Sequence, residues 1–468
     1  MSIINMCLVC STFKNIFSEV NIQHLLKEEP TIYRAVQCRR RDMLHLLLAK
    51  FNANPDAKWD GSTPLMLAVE MRDLKTVNLL LTHGADVEFH NIYGETALSI
   101  AIEQGSEQII ERLLKCSDIN VNGPGPMVRT PLLVALDYHQ FHIFQVLIND
   151  TRLQINMFIE ESDNPGRTIL HWAVRQRESF AVRMLLDKPH LDINLRDLRG
   201  DNALLLNVKE HKRGDNTRLQ IADYLMRHSD IDINFQDREG RSALWHAVSS
   251  DCQKMVLAIL EHEETDINLN DHEGITPLTR AVEYGNLDIV RILLQQPGCL
   301  RSSSSVSPLL WSACRAGHYS MVDYLLKQRS IDMNQPGPNG TSPLQAALSM
   351  RKTIIAHLLL DQKHKIRINH QDRSGLTALM QAAGGGYDGI VKRMLQDFDV
   401  DVNAIDHSRK TALCYAIHGS YGKTVRMLTR CMEDTTRKEP DIECDRGSLI
   451  SLLPRRSSRL KEMRHMST

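Results

Sequence analysis

A chain of 468 residues with 56 basic and 57 acidic side chains has no net field to draw it to nucleic acid or to an anionic membrane. Its ten cysteines, at positions 7, 10, 38, 116, 252, 299, 314, 414, 431 and 444, are scattered, as expected of thiols in a reducing compartment rather than of a disulfide framework. Nothing approaches the roughly 18 to 20 consecutive apolar residues of a membrane span, so the chain reads as intracellular with no membrane partner.

Residues 1–29 follow no period. The apolar stretch Ile3 to Cys10 lacks a basic leader and is broken by Ser11, Thr12 and Lys14, which argues against a secretory signal. Phe13, Ile16, Phe17, Val20, Ile22, Leu25 and Leu26 instead predict a helix that caps the exposed side of whatever follows. From residue 30 to about 430 one frame recurs, with Ile32, Leu65, Leu98, Leu132, Leu170, Leu204, Leu244, Leu278, Leu310, Leu344, Leu379 and Leu413 as its markers. Three residues after each marker stands Ala35, Ala68, Ala101, Ala135, Ala173, Ala247, Ala281, Ala313, Ala347, Ala382 or Ala416, and Asn207 in the sixth copy alone. The spacings of 33, 33, 34, 38, 34, 40, 34, 32, 34, 35 and 34 residues mark about twelve repeats. A small residue in that slot predicts two helices crossing closely.

The eighth copy, Asp271 to Leu294, shows the local logic. Asp271-His-Glu-Gly274 predicts a polar turn, and Thr276-Pro277 supplies a hydroxyl cap and a φ-locked first residue for a helix. Leu278, Ala281 and Val282 form one apolar stripe; Gly285-Asn286 interrupts it before Ile289, Val290, Leu293 and Leu294 resume it. Two helices this short are marginal alone, so each pair must lie against its neighbours.

Thr63-Pro-Leu-Met-Leu-Ala68, Gly84-Ala-Asp-Val87, Thr168-Ile-Leu-His-Trp-Ala173 and Thr276-Pro-Leu-Thr-Arg-Ala281 resemble the ankyrin repeat family. Seven second helices end in a variant of that family's closing motif: Ile119-Asn-Val-Asn122, Leu191-Asp-Ile-Asn194, Ile231-Asp-Ile-Asn234, Thr265-Asp-Ile-Asn268, Ile331-Asp-Met-Asn334, Ile366-Arg-Ile-Asn369 and Val400-Asp-Val-Asn403. The resemblance implies an all-α solenoid of stacked helix–turn–helix units with β-turn fingers, spanning residues 30–430 between an N-terminal capping segment, 1–29, and a C-terminal cap and basic, partly disordered tail, 431–468.

Several stretches depart from the frame. Gly123-Pro-Gly-Pro126 is a turn of small residues, and Glu160, Glu161 and Asp163 make an acidic surface loop. In the sixth copy Asn207 occupies the alanine slot and His211-Lys-Arg-Gly-Asp-Asn-Thr217 is inserted between the helices, which predicts a local weak point. Arg301-Ser-Ser-Ser-Ser305 replaces the turn before the ninth copy. In the tail, Ser448-Leu-Ile-Ser-Leu-Leu453 is a brief apolar patch, and Arg455, Arg456, Arg459 and Lys461 form a candidate nuclear import signal, with Ser457 and Ser458 placed for a basophilic kinase.

Motifs for chemistry fail on inspection. Gly422-Lys423-Thr424 has Ile417 where a phosphate-binding loop needs its first glycine, and Gly384-Gly-Gly386 follows no predicted strand. Cys7-Leu-Val-Cys10 is half of a zinc site. His139 and His142 read as surface imidazoles, His171 as a packing residue of the repeat, and Trp172, Trp245 and Trp311 as core or near-core. We therefore expect no catalytic residue, no cofactor and no metal, and the termini leave no room for a catalytic domain.

What the family offers instead is an extended concave surface for another protein. Turn tips flanking the turn glycines map onto Trp59, Tyr93, Glu95, Arg238, Glu239, Arg241, His272, Glu273 and Arg373, with aromatic and arginine side chains of the kind that anchor interfaces. Charge reversal at Arg238 and Arg241 is expected to weaken binding without altering melting. The resemblance admits a transcription coregulator in the nucleus, a cytoplasmic tether, or a substrate-recognition arm of a ubiquitin ligase; the basic tail favours the first.

Overall fold

The structure, a computed structural model, describes residues 31–123, 130–159, 166–212, 214–299 and 308–434. The capping segment, the turn after Gly123, the acidic loop at 160–165, the serine-rich turn and the tail with its candidate import signal lie outside them. Among the described residues the helices come in twelve pairs, divided between two compact units, Met1–Arg238 and Glu239–Thr468.

In the first unit the pairs are α1 (Thr31–Gln37) with α2 (Arg41–Ala49), α3 (Pro64–Glu70) with α4 (Leu74–Thr82), α5 (Ala97–Glu103) with α6 (Glu107–Leu114), α7 (Pro131–Asp137) with α8 (Phe141–Ile148), α9 (Ile169–Gln176) with α10 (Ser179–Leu186), and α11 (Ala203–Lys209) with α12 (Asn216–Met226). In the second they are α13 (Ala243–Ser249) with α14 (Gln253–Leu260), α15 (Pro277–Tyr284) with α16 (Leu287–Gln295), α17 (Leu309–Ala316) with α18 (Tyr319–Leu326), α19 (Pro343–Ser349) with α20 (Thr353–Leu360), α21 (Ala378–Gly384) with α22 (Asp388–Asp397), and α23 (Ala412–His418) with α24 (Gly422–Asp434). Within each unit a helix packs on its own partner and on the corresponding helix of the next pair. This is the all-α solenoid class.

The core follows the predicted frame. All eleven frame alanines are buried, as are the twelve leucine or isoleucine markers before them. Alanine is required there because neighbouring first helices meet at that slot, and added methylenes in a filled core typically cost about 1–3 kcal/mol. Caps set the helix starts. The hydroxyls of Thr63, Thr130 and Thr276 accept from the backbone N–H groups of Met66, Leu133 and Thr279 at 3.3, 3.2 and 3.2 Å. Each of these threonines is followed by a proline at the first helical position.

The turn between paired helices holds a left-handed residue in repeat after repeat. Glycine fills it at Gly285 and Gly317, but Arg39, Arg72, His139, Arg177, Asp251, Arg351 and Ser420 take positive φ as well, at a conformational cost of roughly 1–2 kcal/mol each. The helix packing on either side offsets that cost.

The closing motif has a role that spacing alone does not disclose. Asn122, Asn156 and Asn194 in the first unit, and Asn334 and Asn369 in the second, each bridge to the next repeat through both ends of the side-chain amide. Asn334 donates to the carbonyl of Lys365 at 2.7 Å and accepts from the N–H of Arg367 at 2.8 Å. Asn369 donates to the carbonyl of Asp399 and accepts from the N–H of Asp401, both at 2.9 Å. The same two-bond clamp joins Asn122 to Arg152 and Gln154, Asn156 to His190 and Asp192, and Asn194 to Asp230 and Asp232. The aspartate two residues earlier shapes the turn: Asp332 and Asp401 accept from the N–H groups of Asn334 and Asn403 at 2.9 and 3.0 Å.

Three local features refine the sequence reading. The ends of the acidic loop pair as a minimal antiparallel hairpin, β1 (Phe158–Ile159) with β2 (Arg167–Thr168), with Phe158 opposite Thr168 and Ile159 opposite Arg167. The sixth-copy insertion is absorbed partly by lengthening α12 to 11 residues. There the buried Asn207 donates to the carbonyl of Arg218 at 2.8 Å, while its Oδ1 has no partner. Finally, among the described residues Cys38, Cys116, Cys299 and Cys314 are thiols. Burial alone pushes the Cys299 thiol up to about 11, so it is protonated and unreactive at neutral pH.

Candidate partner interface

Each finger is a tight turn fixed by its own first residue. Asn91 accepts from the N–H groups of Tyr93 and Glu95, both at 2.9 Å. Asp197 accepts from Arg199 and Asp201 at 2.8 and 3.0 Å, Asp271 from Glu273 and Ile275 at 3.0 and 2.8 Å, and Asp372 from Ser374 and Leu376 at 2.8 and 3.0 Å. A short carboxylate or amide thus reads out two backbone donors and holds the tip residue outward. Asp406 does the same for Ser408 and Lys410 and also accepts from the Tyr415 hydroxyl at 2.6 Å. Burial opposes the charge on Asp406, but these donors outweigh it and hold its pKa below the usual range. Burial and the neighbouring carboxylate push Tyr415 up to about 12.

Successive fingers are also fixed to one another. In the second unit the N–H of His272 donates to the carbonyl of Glu239, that of Arg373 to Asn339, and that of His407 to Ser374, each at 3.0 Å. The turn glycine of one finger is the seat for a tip side chain of the next. A Cβ built on Gly240 would lie 2.7 Å from the His272 ring, and one on Gly200 would lie 2.7 Å from the Arg238 side chain. Ile92 over Gly61 and Leu198 over Gly166 repeat the arrangement. Each unit therefore presents a row of rigidly held tips.

Most of the sequence candidates lie on these rows. Tyr93 is 70% exposed and Trp59 48%, and Arg238, Glu239, His272, Glu273 and Arg373 are exposed as well. The Trp59 ring is partly occupied, with the Arg34 guanidinium 5.9 Å from its centre. Two candidates turn inward. Glu95 is half-buried and accepts from the Asn91 amide at 2.7 Å, stapling its own finger; Arg241 is half-buried with its guanidinium 4.8 Å from the Trp245 ring. Glu95 is thus held by its own finger, and Arg241 by the helix that follows it. Sequence reasoning missed Ile92 and Leu198, 73% and 56% exposed. Their signal was an apolar side chain immediately after the turn-shaping Asn or Asp.

The remaining candidates for chemistry have structural work. His171 is buried, with Nδ1 2.8 Å from the Thr168 hydroxyl and Nε2 3.1 Å from the Asp201 carbonyl, and burial holds its pKa below the ordinary value. Trp172 and Trp245 are buried, and half-buried Trp311 donates to the Thr341 hydroxyl at 2.8 Å. His139 and His142 are exposed partners of Glu178 and Glu107 at 3.0 and 3.5 Å. Gly422-Lys423-Thr424 opens α24. Among the described residues no cluster of three His, Cys, Asp or Glu side chains is placed to hold a metal ion, and no helix is long and apolar enough to cross a membrane.

Short helix pairs repeated about every 34 residues, stacked within each unit and ending in linked turn fingers, define a helical repeat protein. The model for ankyrin repeats, three copies per match, fits residues 8–91, 32–124, 84–157, 118–197, 212–303, 300–372 and 352–439, and the chain belongs to the ankyrin repeat family. Among curated relatives it is similar to human transient receptor potential cation channel subfamily A member 1, 25% identical over 446 residues, covering 79% of this chain and 39% of that protein. It is also similar to human Rabankyrin-5, 28% identical over 213 residues, covering 42% of this chain and 18% of that protein. The mouse B-cell lymphoma 3 protein homolog is 26% identical over 197 residues, 40% and 41% of the two chains. The chain thus spans less than half the length of each of these relatives. Ankyrin repeats form a protein–protein interaction module, and the fold is generally non-catalytic.

Proposed function

We propose that the chain is a non-enzymatic regulatory adaptor that holds another protein on its finger rows, and that it acts in the nucleus as a transcription coregulator. The observation that carries the adaptor reading is the rigid tip row. Tyr93 in the first unit, and His272, Glu273 and Arg373 in the second, are exposed while the turns beneath them are fixed by backbone and Asx hydrogen bonds, and exposed Arg238 is seated over Gly200. Preorganised aromatic and charged side chains lose little entropy on binding, which is the condition for hot spots. The nuclear reading rests on Arg455, Arg456, Arg459 and Lys461, outside the described residues.

Proximity labelling in cells with the full chain, with Arg238→Glu, and with a chain ending at Asp445 tests both parts. The adaptor reading expects the charge reversal to remove specific neighbours, and the nuclear reading expects the shortened chain to lose nuclear ones. An identical neighbour set for all three would overturn the proposal.

A further inference from the structure

We propose a second docking site, separate from the fingers: the outer groove between α22 and α24 receives an acidic, extended segment of a protein partner. The groove has a volume of about 420 Å³ and is lined by Asp388, Gly389, Lys392, Lys423, Arg426 and Met427. It is open to solvent along one side, a form suited to a chain laid across it rather than to an engulfed small molecule.

Its lining is net positive, three cations against one carboxylate. Lys392, Lys423 and Arg426 are exposed, and none makes an ion pair or side-chain hydrogen bond among the described residues. The single carboxylate in the lining, Asp388, accepts from the Thr424 hydroxyl at 2.6 Å. Neighbouring cations are satisfied: Arg393 pairs with Asp361 and Asp397 at 2.5 and 3.5 Å, and Lys363 with Asp397 at 3.1 Å. The outer helices of earlier repeats in this unit also balance their charges internally, Arg291 with Asp288 at 3.6 Å and Lys327 with Asp323 at 2.6 Å. Between the last two pairs three like charges line one groove, and none of the three has an ion-pair partner among the described residues. Single exposed ion pairs are weak, so the ligand must bring several carboxylates at once.

The floor adds shape. Met427 is half-buried and offers a pliable apolar contact. Above Gly389 a Cβ would meet nothing within 4 Å, so a peptide backbone can approach the helix there. Carboxylates along an extended strand would reach the three cations while one aliphatic side chain rests on Met427.

Fluorescence anisotropy on the full chain tests this at low and physiological salt. The probes are a labelled glutamate-rich peptide with a central leucine, the same peptide with glutamine for glutamate, and a single-stranded oligonucleotide of equal charge. Expected is binding of the acidic peptide that weakens with salt and falls at least ~10-fold in Lys392→Gln/Lys423→Gln/Arg426→Gln. Gly389→Leu should weaken it comparably by filling the open space, although it leaves every charge in place and suits the helix. Circular dichroism confirms that both variants fold. Arg238→Glu should leave this binding intact, which separates the groove from the finger row. Unchanged peptide affinity in both groove variants would overturn the proposal. So would an oligonucleotide bound as tightly as the peptide and unaffected by Gly389→Leu.

Discussion

Replacing Asn369 by alanine removes both hydrogen bonds of one clamp and no core atom. A typical intramolecular hydrogen bond contributes about 0.5–1.5 kcal/mol net, so two give an upper range of about 1–3 kcal/mol. Asn369 is exposed, and the freed Asp399 carbonyl and Asp401 N–H can take water, so the cost should fall near about 1–2 kcal/mol. The most direct readout is hydrogen exchange at the Asp401 amide, whose acceptor is the Asn369 side chain at 2.9 Å; it should speed up roughly 5- to 30-fold. Urea unfolding of the full chain should show the same loss in the second unit's transition. Asn403 is the control: it closes the same motif in the eleventh pair, after α22, and no cross-repeat bond is made by its side chain among the described residues. Asn403→Ala should therefore be neutral within about 0.5 kcal/mol. Asn369→Asp keeps the acceptor but sets a carboxylate against the Asp399 carbonyl, which raises that carboxyl's folded-state pKa. Its deficit at pH 7 should thus shrink as pH falls through the aspartate range, because the protonated form can donate. Equal costs for Asn369→Ala and Asn403→Ala, or an unaltered Asp401 amide, would refute the clamp.

In the first unit, Asn207→Ala loses the bond to the Arg218 carbonyl but also removes a buried Oδ1 without a partner. The urea-unfolding free energy should change by no more than about 1 kcal/mol in either direction, and a larger loss would show the Arg218 bond to be essential. Burial depresses the pKa of His171, so the unfolded chain takes up a proton first as pH falls. Stability is complete above a pH of about 6.5 and declines as pH drops through it; unfolding between pH 7.5 and 5 should show a shallower decline in His171→Gln. For the two arginines once expected to behave alike, thermal melting should separate them. Arg241→Ala should lose roughly 0.5–2 kcal/mol with its stack on Trp245, whereas exposed Arg238→Ala should stay within about 0.5 kcal/mol.

The repeat was legible because burial recurs with the chain's own period. Leu65 and Ala68, or Leu379 and Ala382, are at most 1% exposed, and a smaller or larger side chain at such a position leaves a void or a clash. Turn conformation was less legible. Gly285 announces a left-handed residue, but Arg72, Asp251 and Arg351 adopt the same backbone under pressure from helix packing that no dipeptide signal encodes. The clamp was visible as a motif and opaque as a function, because its partners lie 30 or more residues away in the next repeat. Asn156, in Leu153-Gln-Ile-Asn156, escaped the motif search although it makes the same two bonds. At the fingers, proximity to glycine locates the tips but not the side-chain directions, which depend on contacts such as Asn91 with Glu95 and Trp245 with Arg241.

These turns divide labour between neighbouring positions. At the finger of the eighth repeat Asp271 is buried and holds the turn, while His272 and Glu273 beside it are exposed. In the closing motif Asp332 shapes its own loop and Asn334 fastens the next repeat. Register is thus carried by short side chains that satisfy backbone groups, and the proposed recognition would fall to the exposed side chains beside them. A tip can change its chemistry without disturbing the stack, as long as the aspartate before it and the glycine after it remain. The same separation holds on the outer face of the last two pairs, where Ile390, Val391, Val425 and Leu428 are buried while Lys392, Lys423 and Arg426 stand in solvent. Under the proposed function, specificity would therefore belong to exposed residues whose loss leaves melting unaltered, and stability to the buried residues beneath them.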